Sequence, residues 1–468
     1  MTNTRASSAE DGKEDHLPND HKSLSEKSDL GEHRKLSDEE QGAKSEEDQD
    51  PNVSKDEEGN TYPEGGLRAW LVVAGAFSGM FACFGYMNTV GTYQAYLATN
   101  QLADYSESTI GWIFSVYIFL TFGAGVQIGP VFDKYGPWRD IFNVERHVAR
   151  SMYRVLALHA RFWGARGLGN ALIFTPSVSS VGHWFFRRRA NATGLAVGGG
   201  ALGGVVFPLM LQDLFPKVGW AWATRIQGFI SIFLLLIAIV LIRARLPPRP
   251  ESSALPDPRV FKDAAFMLVT AGSFFLELGL FIPIAYITSY ALETNGAISS
   301  TFSYQLLAIF NAGSFVGRWV PGYLADKLGR FNTQIAAVFL CAATSLGLWL
   351  PATVLVTEPG SSSQSILGLT VAFAALMGIA SGSNISLTPV CIGMLCPTKE
   401  YGRYIATTYT IVSIGCLIGL PIAGALIKAT GGAYWGVALF TGGSYCCGLA
   451  SFTAVRVMKA GWKVNIMY

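Results

Sequence analysis

Long apolar runs alternate with short polar segments from Trp70 to the end of the chain. Each run is about 20 residues long, which at ~1.5 Å per residue lets one helix cross a hydrocarbon core of ~30 Å. The pattern predicts eleven membrane spans, near residues 70 to 93, 109 to 131, 164 to 185, 192 to 213, 222 to 242, 264 to 290, 301 to 323, 333 to 356, 366 to 391, 403 to 427 and 434 to 456.

The composition supports a membrane protein and sets one segment apart. Half of the 468 residues are hydrophobic and only 15% are charged, whereas soluble domains carry about 25% charge. Residues 1 to 60 differ, with 18 acidic and 8 basic residues and a net charge of −10. Such a segment cannot bury enough apolar surface to offset its ordering entropy. We therefore expect residues 1–63 to be a disordered tail without a signal peptide.

Lysine and arginine are concentrated in alternate loops, and cytoplasmic loops retain positive charge. The residues that carry this pattern are Lys134, Arg139, Arg187, Arg188, Arg189, Arg243, Arg245, Arg249, Arg259, Lys262, Lys327, Arg330, Lys399 and Arg403. The loops between them, such as QLADYSES and SYALETNG, contain neither residue. We expect both termini to face the cytosol, with the chain in the plasma membrane or, as the alternative, in the vacuolar membrane.

One short motif occurs twice in the chain, 193 residues apart. The first copy is GPVFDKYG, with Gly129, Asp133, Lys134 and Gly136, and the second is GYLADKLGR, with Gly322, Asp326, Lys327, Gly329 and Arg330. Its glycines permit close approach of helices, and its aspartate can accept hydrogen bonds from the terminus of a neighbouring helix. A repeat of this period indicates two homologous halves of one large domain.

A second similarity between the halves involves RRRANATGLAVGGGALGGVVFP, residues 187–208, and YGRYIATTYTIVSIGCLIGLP, residues 401–421. Both pass from basic residues into a helix rich in small residues and end at a proline. Small residues four apart, such as Gly194 and Gly198, allow helices to pack backbone to backbone. The Pro-rich segment 243–262 is then a linker between the halves.

The repeated motif resembles the loop motif G-x-x-x-D-[RK]-x-G-[RK]-[RK] of the major facilitator superfamily, found between helices two and three and again between helices eight and nine. The later copy follows that pattern through Arg330, and the earlier copy departs from it at Pro137. This resemblance implies an all-α polytopic membrane protein with the major facilitator fold of two six-helix bundles. Its parts would be residues 64–242, the linker 243–262, residues 263–456 and a cytoplasmic tail 457–468.

Two further segments resemble the monocarboxylate-porter branch of that superfamily. Residues 183–200, HWFFRRRANATGLAVGGG, are similar to its fifth-helix signature, from which Asn191 departs. EGGLRAW, residues 64–70, resembles the opening motif [DE]-G-G-x-x-x-W in the form that fungal members carry. The resemblance implies transport by alternating access, driven by a gradient and not by nucleotide, and no enzymatic or catalytic activity.

Residues that carry mechanism in the animal porters are mostly replaced here. Those porters use a lysine in the first helix and an aspartate and an arginine in the eighth. Alignment places Asn88 at the lysine position and Ser314 at the aspartate position, and only Arg318 is retained. Two roles fit Arg318: a charge-assisted hydrogen bond to an anionic or carbonyl-bearing substrate, or support of the loop that contains Asp326.

Other polar residues lie within predicted spans. Glu277 lies halfway along the seventh helix, where a carboxylate is a candidate proton relay; a protonated glutamate bonded to another helix is the structural alternative. Four asparagines are candidates either for lining a cavity between the halves or for hydrogen bonds between helices: Asn88, Asn170, Asn311 and Asn384.

The seven cysteines and six histidines show no metal-ligand spacing, and the chain has no phosphate-binding glycine loop followed by Lys and Ser or Thr. We expect no metal, no cofactor and no nucleic-acid partner. The expected partners are a small-molecule substrate, the lipid bilayer and, as coupling ions, protons. Three functions remain open: proton-coupled uptake of a small organic acid or related metabolite, efflux of a larger secondary metabolite, and nutrient sensing without transport.

The third helix of the expected fold is missing from the apolar pattern. It belongs in residues 138–163, a stretch with seven charged residues: Arg139, Asp140, Glu145, Arg146, Arg150, Arg154 and Arg161. At roughly 2.5 to 3.5 kcal/mol for each central charge, they oppose insertion by on the order of 17 kcal/mol. The stretch is either a damaged third helix or the product of a shifted reading frame or a wrong exon boundary, and we favour the second explanation.

We predict that the transcript across codons 137 to 165 encodes an apolar helix in place of the present amino-acid sequence. Sequencing the cDNA of this region measures this directly. A transcript identical to the present sequence would show that the third helix itself is damaged.

Overall fold

The computed structural model describes residues 53–55, 61–105, 107–124, 157–245, 258–294, 296–358, 360–397 and 400–462. In this part of the chain, a two-residue strand pair, β1 (Ser54–Lys55) and β2 (Thr61–Tyr62), precedes a series of helices. The helices are α1 (Gly66–Met87), α2 (Val90–Thr99), α3 (Glu107–Gly123), α4 (Ala157–Gly182), α5 (Arg189–Leu241), α6 (Ala264–Leu292), α7 (Ser300–Leu328), α8 (Arg330–Thr344), α9 (Leu350–Thr357), α10 (Ser363–Ile392), α11 (Tyr401–Ala429) and α12 (Trp435–Ala460).

Several spans are interrupted within their length. α1 and α2 are separated at Asn88 and Thr89, and α8 joins α9 through a π-helical turn, Ser345–Trp349. α5 is broken at Gly219, where φ is 71° and ψ is 172°, a conformation that only glycine adopts without strain. Pro216 lies three residues earlier and also disfavours a continuous helix. α5 therefore contains two of the predicted spans, 192 to 213 and 222 to 242.

Side-chain caps fix the starts of two helices in the second half. The Asp263 carboxylate accepts a hydrogen bond from the Ala265 backbone N–H at 2.8 Å, which begins α6. The Ser299 hydroxyl accepts one from the Phe302 N–H at 3.3 Å, which begins α7. Such caps satisfy N–H groups that have no partner inside the helix.

The described helices agree with a membrane-spanning protein. Seven helical segments are long and apolar enough to cross a bilayer, counting α1 with α2 and α8 with α9 as single segments. α3 includes a shorter apolar helix, Thr109–Gly123. The predicted spans correspond to helices within a few residues, with two exceptions. α4 begins at Ala157, seven residues before the predicted span, and α3 ends at Gly123, while residues 125–131 of the span predicted for it lie outside the described residues.

Glycines on α5 bring three helices into backbone contact. A Cβ at Gly199 would lie 2.1 Å from the Phe77 carbonyl oxygen of α1, and one at Gly194 would lie 2.2 Å from the Arg318 carbonyl oxygen of α7. Only glycine permits this approach. α5 thus lies between α1 and α7. Together with the contact of α3 with α11, it joins helices on the two sides of the segment 243–262.

The structure differs from the sequence prediction at the segment boundaries. Tyr62, placed in a disordered tail, is buried and belongs to the strand pair. Composition does not reveal this, because the ring of Tyr62 stacks on Phe186, which is distant in the sequence. α12 continues to Ala460, beyond the predicted end at residue 456. The first motif copy, with Gly129, Asp133, Lys134 and Gly136, lies outside the described residues, as does most of the stretch 138–163.

We predict that Gly378→Ala destabilises the protein by about 1 to 3 kcal/mol, because the new methyl group would lie 2.1 Å from the Phe310 carbonyl oxygen of α7. Gly368→Ala in the same helix α10 is the matched control, since no heavy atom lies within 4 Å of its Cβ position. It should leave stability unchanged or raise it by up to about 1 kcal/mol. Thermal unfolding of both purified variants in detergent measures the difference. Equal losses would contradict the close α7–α10 contact.

Candidate functional site

The arginines Arg187, Arg188, Arg243, Arg330 and Arg403 lie at one end of the helices, here named the basic end. The turn between α4 and α5 is at its centre. Glu64, which precedes α1 and is 4% exposed, accepts hydrogen bonds from three successive N–H groups of this turn. The donors are Phe186 at 2.8 Å, Arg187 at 2.6 Å and Arg188 at 3.0 Å. A carboxylate thus satisfies the N–H groups just before α5.

A second carboxylate binds the next N–H groups of the same chain segment. Asp326 of α7 accepts hydrogen bonds from Ala190 at 3.3 Å and Asn191 at 2.9 Å, in the first turn of α5. This is the interaction with a helix terminus that the sequence predicts for the aspartate of the motif. The Trp319 indole N–H donates to the Asn191 side-chain oxygen at 3.1 Å and adds a second link from α7.

Apolar packing accompanies these hydrogen bonds. Ala190 of α5 and Ala325 of α7 form a buried cluster with Leu387 and Val390 of α10. A Cβ at Gly322, also a motif residue, would lie 2.7 Å from the Ala190 carbonyl oxygen. The later motif copy therefore holds α7 against the start of α5 by charge and by close contact.

Two arginines complete the basic end. Arg330 of the motif donates to the Phe186 carbonyl at 2.9 Å. Arg189 donates to the carbonyls of Phe185 and Gly182 at 3.3 and 3.2 Å, and its guanidinium lies 4.9 Å from the ring centroid of Tyr401 in α11. Lys327 instead lies over the Tyr323 ring of its own helix, at 4.3 Å from the ring centroid. Helices from both sides of the segment 243–262 are therefore connected through one turn.

His183, in the same turn, remains neutral near pH 7. Burial, together with the positive charges of Arg189 and Arg245, lowers its pKa from the ordinary value to about 4. A histidine with this pKa does not exchange protons near pH 7, so it is not a candidate for proton coupling.

Arg318 is 2% exposed and lies among the glycines of α5. Its guanidinium donates to the Val197 carbonyl at 2.7 Å, and a Cβ at Gly200 would lie 2.9 Å from it. Arg318, in the second half of α7, thus links that helix to the first part of α5. Its contact with the α5 backbone does not by itself place it in a cavity.

Glu277 of α6 is also buried, at 2% exposure, and lies within electrostatic reach of Arg318. Tyr409 and Cys416 of α11 and Tyr445 of α12 lie in the same range around its carboxyl group. The structure therefore brings together the two charged candidates that lie on different helices. A buried carboxylate of this kind requires a cation or a proton as its partner.

The four asparagines fall into two groups. Asn88 donates to the Gly200 carbonyl at 3.1 Å, and a Cβ at Gly204 would meet both Asn88 and Asn311. These two therefore lie together beside Gly204 of α5, and Asn311 also donates to the Leu307 carbonyl at 2.9 Å.

Asn170 and Asn384 lie within their own halves. Asn170 donates to the Cys83 carbonyl at 3.2 Å and to the Tyr117 hydroxyl oxygen at 2.6 Å. Asn384 lies beside the Cys341 thiol and the Tyr445 hydroxyl. The contacts of Asn170 join helices of the first half, whereas Asn384 reaches the surroundings of Glu277 through Tyr445.

A cavity of about 440 Å³ lies at the end of the helices opposite the basic end. None of its lining side chains is charged, and they come from α2, α5 and α7: Thr92, Tyr96, Asn100, Gln212, Phe215, Pro216, Ser300, Thr301 and Tyr304. The rings of Tyr96 and Phe215 are stacked at 4.2 Å, and Trp220 stacks on both. The cavity thus combines aromatic faces with hydroxyl and amide groups.

Sequence reasoning did not identify the cavity or the role of Glu64. The only signal for Glu64 was its position in the motif EGGLRAW, because its three donors lie 122 to 124 residues away. Among the described residues, no group of three or more His, Cys, Asp or Glu side chains could hold a metal ion.

Comparison with known proteins gives a consistent result. Residues 155–361 match the sequence profile of the Major Facilitator Superfamily. The chain is 38% identical over 411 residues to the MFS-type transporter opdF of Penicillium oxalicum, covering 86% of this chain and 93% of that protein. It is 35% identical over 443 residues to the riboflavin transporter MCH5 of Saccharomyces cerevisiae, covering 87% of this chain and 80% of that protein.

Two more similarities agree with these. The chain is 37% identical over 384 residues to the aspyridones efflux protein apdF of Emericella nidulans, covering 80% of this chain and 75% of that protein. Its fold is similar to the crystal structure of the MFS transporter FucP in the outward conformation, with a TM-score of 0.58 and 16% identity. That alignment covers 83% of this chain and 98% of FucP.

We predict that Asp326→Asn opens the basic end, because two charge-assisted hydrogen bonds to α5 are lost without a change in side-chain size. The reporter is Ala190→Cys, buried in the described structure. Its alkylation in purified protein, quantified by peptide mass spectrometry, should become about 5- to 30-fold faster. Lys327→Gln is the control and should leave the rate unchanged. Equal rates in all three proteins would contradict the role of Asp326.

Proposed function

The chain belongs to the major facilitator superfamily, and we propose that it exports an uncharged, amphipathic small metabolite in exchange for protons. It is a multi-pass membrane transporter and not an enzyme. In the proposed mechanism the two halves alternate access by rocking about a central site. The basic end lies on the cytosolic side of the plasma membrane, because positively charged helix ends are retained on that side.

The cavity opposite the basic end is the main support for the proposed substrate class. Its volume of about 440 Å³ is in the range of small-molecule sites. Seven of the nine lining residues offer a hydroxyl or amide group, and none offers a charge. The stacked Tyr96 and Phe215 rings suit a planar apolar surface. Such a lining selects a molecule that has aromatic or aliphatic faces and neutral polar groups.

A carboxylate substrate receives less support from the geometry. Asn88 and Ser314 occupy the positions where the animal porters have a lysine and an aspartate. Arg318, the one cation retained, is engaged by the Val197 carbonyl and lies within reach of Glu277. Its charge is therefore used inside the protein.

Competition for Arg318 offers a mechanism of proton coupling. Val197 belongs to α5, while Glu277 and Arg318 belong to α6 and α7 on the other side of the segment 243–262. When the basic end is closed, the Val197 carbonyl holds the guanidinium and Glu277 binds a proton. Rocking that separates α5 from α7 frees Arg318 to pair with Glu277, which releases the proton.

The proposed direction of transport is inferred from the similarity of this chain to other fungal transporters. The similarity to the aspyridones efflux protein supports export. Uptake is the second candidate, because the riboflavin transporter of Saccharomyces cerevisiae is similar over 87% of this chain. Export and uptake are both compatible with the neutral, aromatic lining of the cavity.

We predict that proteoliposomes containing this protein exchange riboflavin, used as an uncharged aromatic probe, faster than empty liposomes, and do not exchange lactate, used as a carboxylate probe. Exchange of lactate without riboflavin would contradict the proposed substrate class. Exchange of neither probe would contradict it as well, because the cavity lining is expected to accept riboflavin.

We predict that an imposed pH gradient drives riboflavin accumulation in wild-type proteoliposomes and that Glu277→Gln abolishes this effect while exchange continues. The amide cannot bind and release the coupling proton. Glu293→Gln, at the end of the same helix α6, is the matched control and should retain the gradient effect. A gradient effect that persists in Glu277→Gln would remove Glu277 from the mechanism.

A further inference from the structure

The segment before α1 is fixed to the turn that closes the basic end. Tyr62 of β2 is buried, and its ring stacks on Phe186 of the turn with a centroid separation of 5.3 Å. The Arg245 guanidinium donates to the Thr61 hydroxyl at 2.9 Å and also to the Thr61 carbonyl. The segment therefore contacts both the start of α5 and the residues that follow its end.

Glu64 is the polar centre of this attachment, and Ser54 is one of its partners. The Ser54 hydroxyl donates to Oε1 of Glu64, which also accepts the N–H groups of Phe186 and Arg187. Ser54 is 8% exposed. The serine hydroxyl and the turn thus bind the same carboxylate oxygen.

The strand pair that holds Ser54 can open. Each strand has two residues, and β1 pairs with β2 only through Ser54 with Tyr62 and Lys55 with Thr61. So short a hairpin is marginally stable, and local opening exposes its side chains to solvent. The sequence from Ser54 to Glu58 reads SKDEE. An acidic segment after a serine is complementary to protein kinases with basic substrate-binding surfaces.

We propose that Ser54 is a phosphorylation site and that its phosphate releases Glu64 from the turn between α4 and α5. In this reaction Ser54 Oγ forms a bond to the γ-phosphorus of ATP. The bond from that phosphorus to the bridging oxygen breaks, ADP leaves, and the hydroxyl proton passes to solvent. The effect on transport rests on the proposed function, because it assumes that the basic end faces the cytosol and opens there.

The expected effect follows from charge. A phosphate carries about −1.5 to −2 charges at pH 7, and like charges in a partly buried site repel. Phosphoserine at position 54 cannot remain against the Glu64 carboxylate, so Glu64 leaves the N–H groups of Phe186, Arg187 and Arg188. The same turn presents Ala190 and Asn191 to Asp326. Loss of Glu64 therefore weakens the closed basic end indirectly.

The first test is chemical. The purified full chain is incubated with ATP and an acid-directed protein kinase, and phosphate is located by peptide mass spectrometry, alongside protein purified directly from eukaryotic cells. We expect phosphate on Ser54 and none at that position in Ser54→Ala. Its absence from Ser54 in both samples would overturn the proposal.

The second test measures the opening of the basic end with Ala325→Cys as a reporter, because Ala325 is buried there on α7. Ser54→Asp and kinase-treated protein should be alkylated at position 325 about fivefold faster than Ser54→Ala. Val53→Asp adds the same charge at an adjacent side chain that is 41% exposed and should not change the rate. Glu64→Gln should also raise the alkylation rate at position 325, and adding Ser54→Asp to Glu64→Gln should not raise that rate further.

Equal rates in Ser54→Asp and Ser54→Ala, or equal rates in Ser54→Asp and Val53→Asp, would overturn the proposal. Neither readout depends on a transported substrate. A protein that fails to exchange riboflavin but is phosphorylated and opens as expected would contradict the proposed function and leave the assignment of Ser54 intact.

Discussion

The N–H groups of residues 186, 187, 188, 190 and 191 share two carboxylates, and these hydrogen bonds join the segment before α1 and helix α7 to one turn at the basic end. N–H groups at a helix start have no partners inside the helix and attract negative charge. Glu64 comes from the segment before α1, whereas Asp326 comes from α7, across the segment 243–262. In the proposed mechanism Glu64 stays with the turn, and the hydrogen bonds of Asp326 break when the basic end opens.

The glycines of α5 provide further close contacts between helices along the length of α5. Because Gly194 and Gly199 lack side chains, α7 and α1 approach the α5 backbone closely on two faces. The approach brings Arg318 to the Val197 carbonyl and Asn88 to the Gly200 carbonyl. The basic end is thereby connected to Arg318, which lies within electrostatic reach of the buried Glu277. The lining of the cavity at the opposite end, by contrast, carries no charge, so the proposed substrate recognition and the proposed coupling use different chemistry.

Much of this fold could be predicted from the sequence, because the length of an apolar run is a local property. The repeated motif contains an aspartate flanked by glycines, and a carboxylate can accept hydrogen bonds from the N–H groups of a neighbouring helix terminus. The interaction of Asp326 with a helix terminus was therefore also predictable. Glu64 was not, because its donors lie more than 120 residues away and only folding brings them together. The proximity of Glu277 to Arg318 and the composition of the cavity could not be predicted either, because folding brings together residues that are distant in the sequence. They depend on which helix faces turn toward each other. The boundary of the tail was misplaced because composition cannot show that Tyr62 packs on Phe186.

The most direct measurement is the distance between spin labels at positions 187 and 328, which are exposed at the basic end on the α4–α5 turn and at the end of α7. In the wild-type background the distance distribution should be dominated by one short distance. Asp326→Asn should shift a substantial part of the population to a longer distance. Identical distributions in the two backgrounds would contradict the claim that the carboxylate on the α5 terminus keeps this end closed.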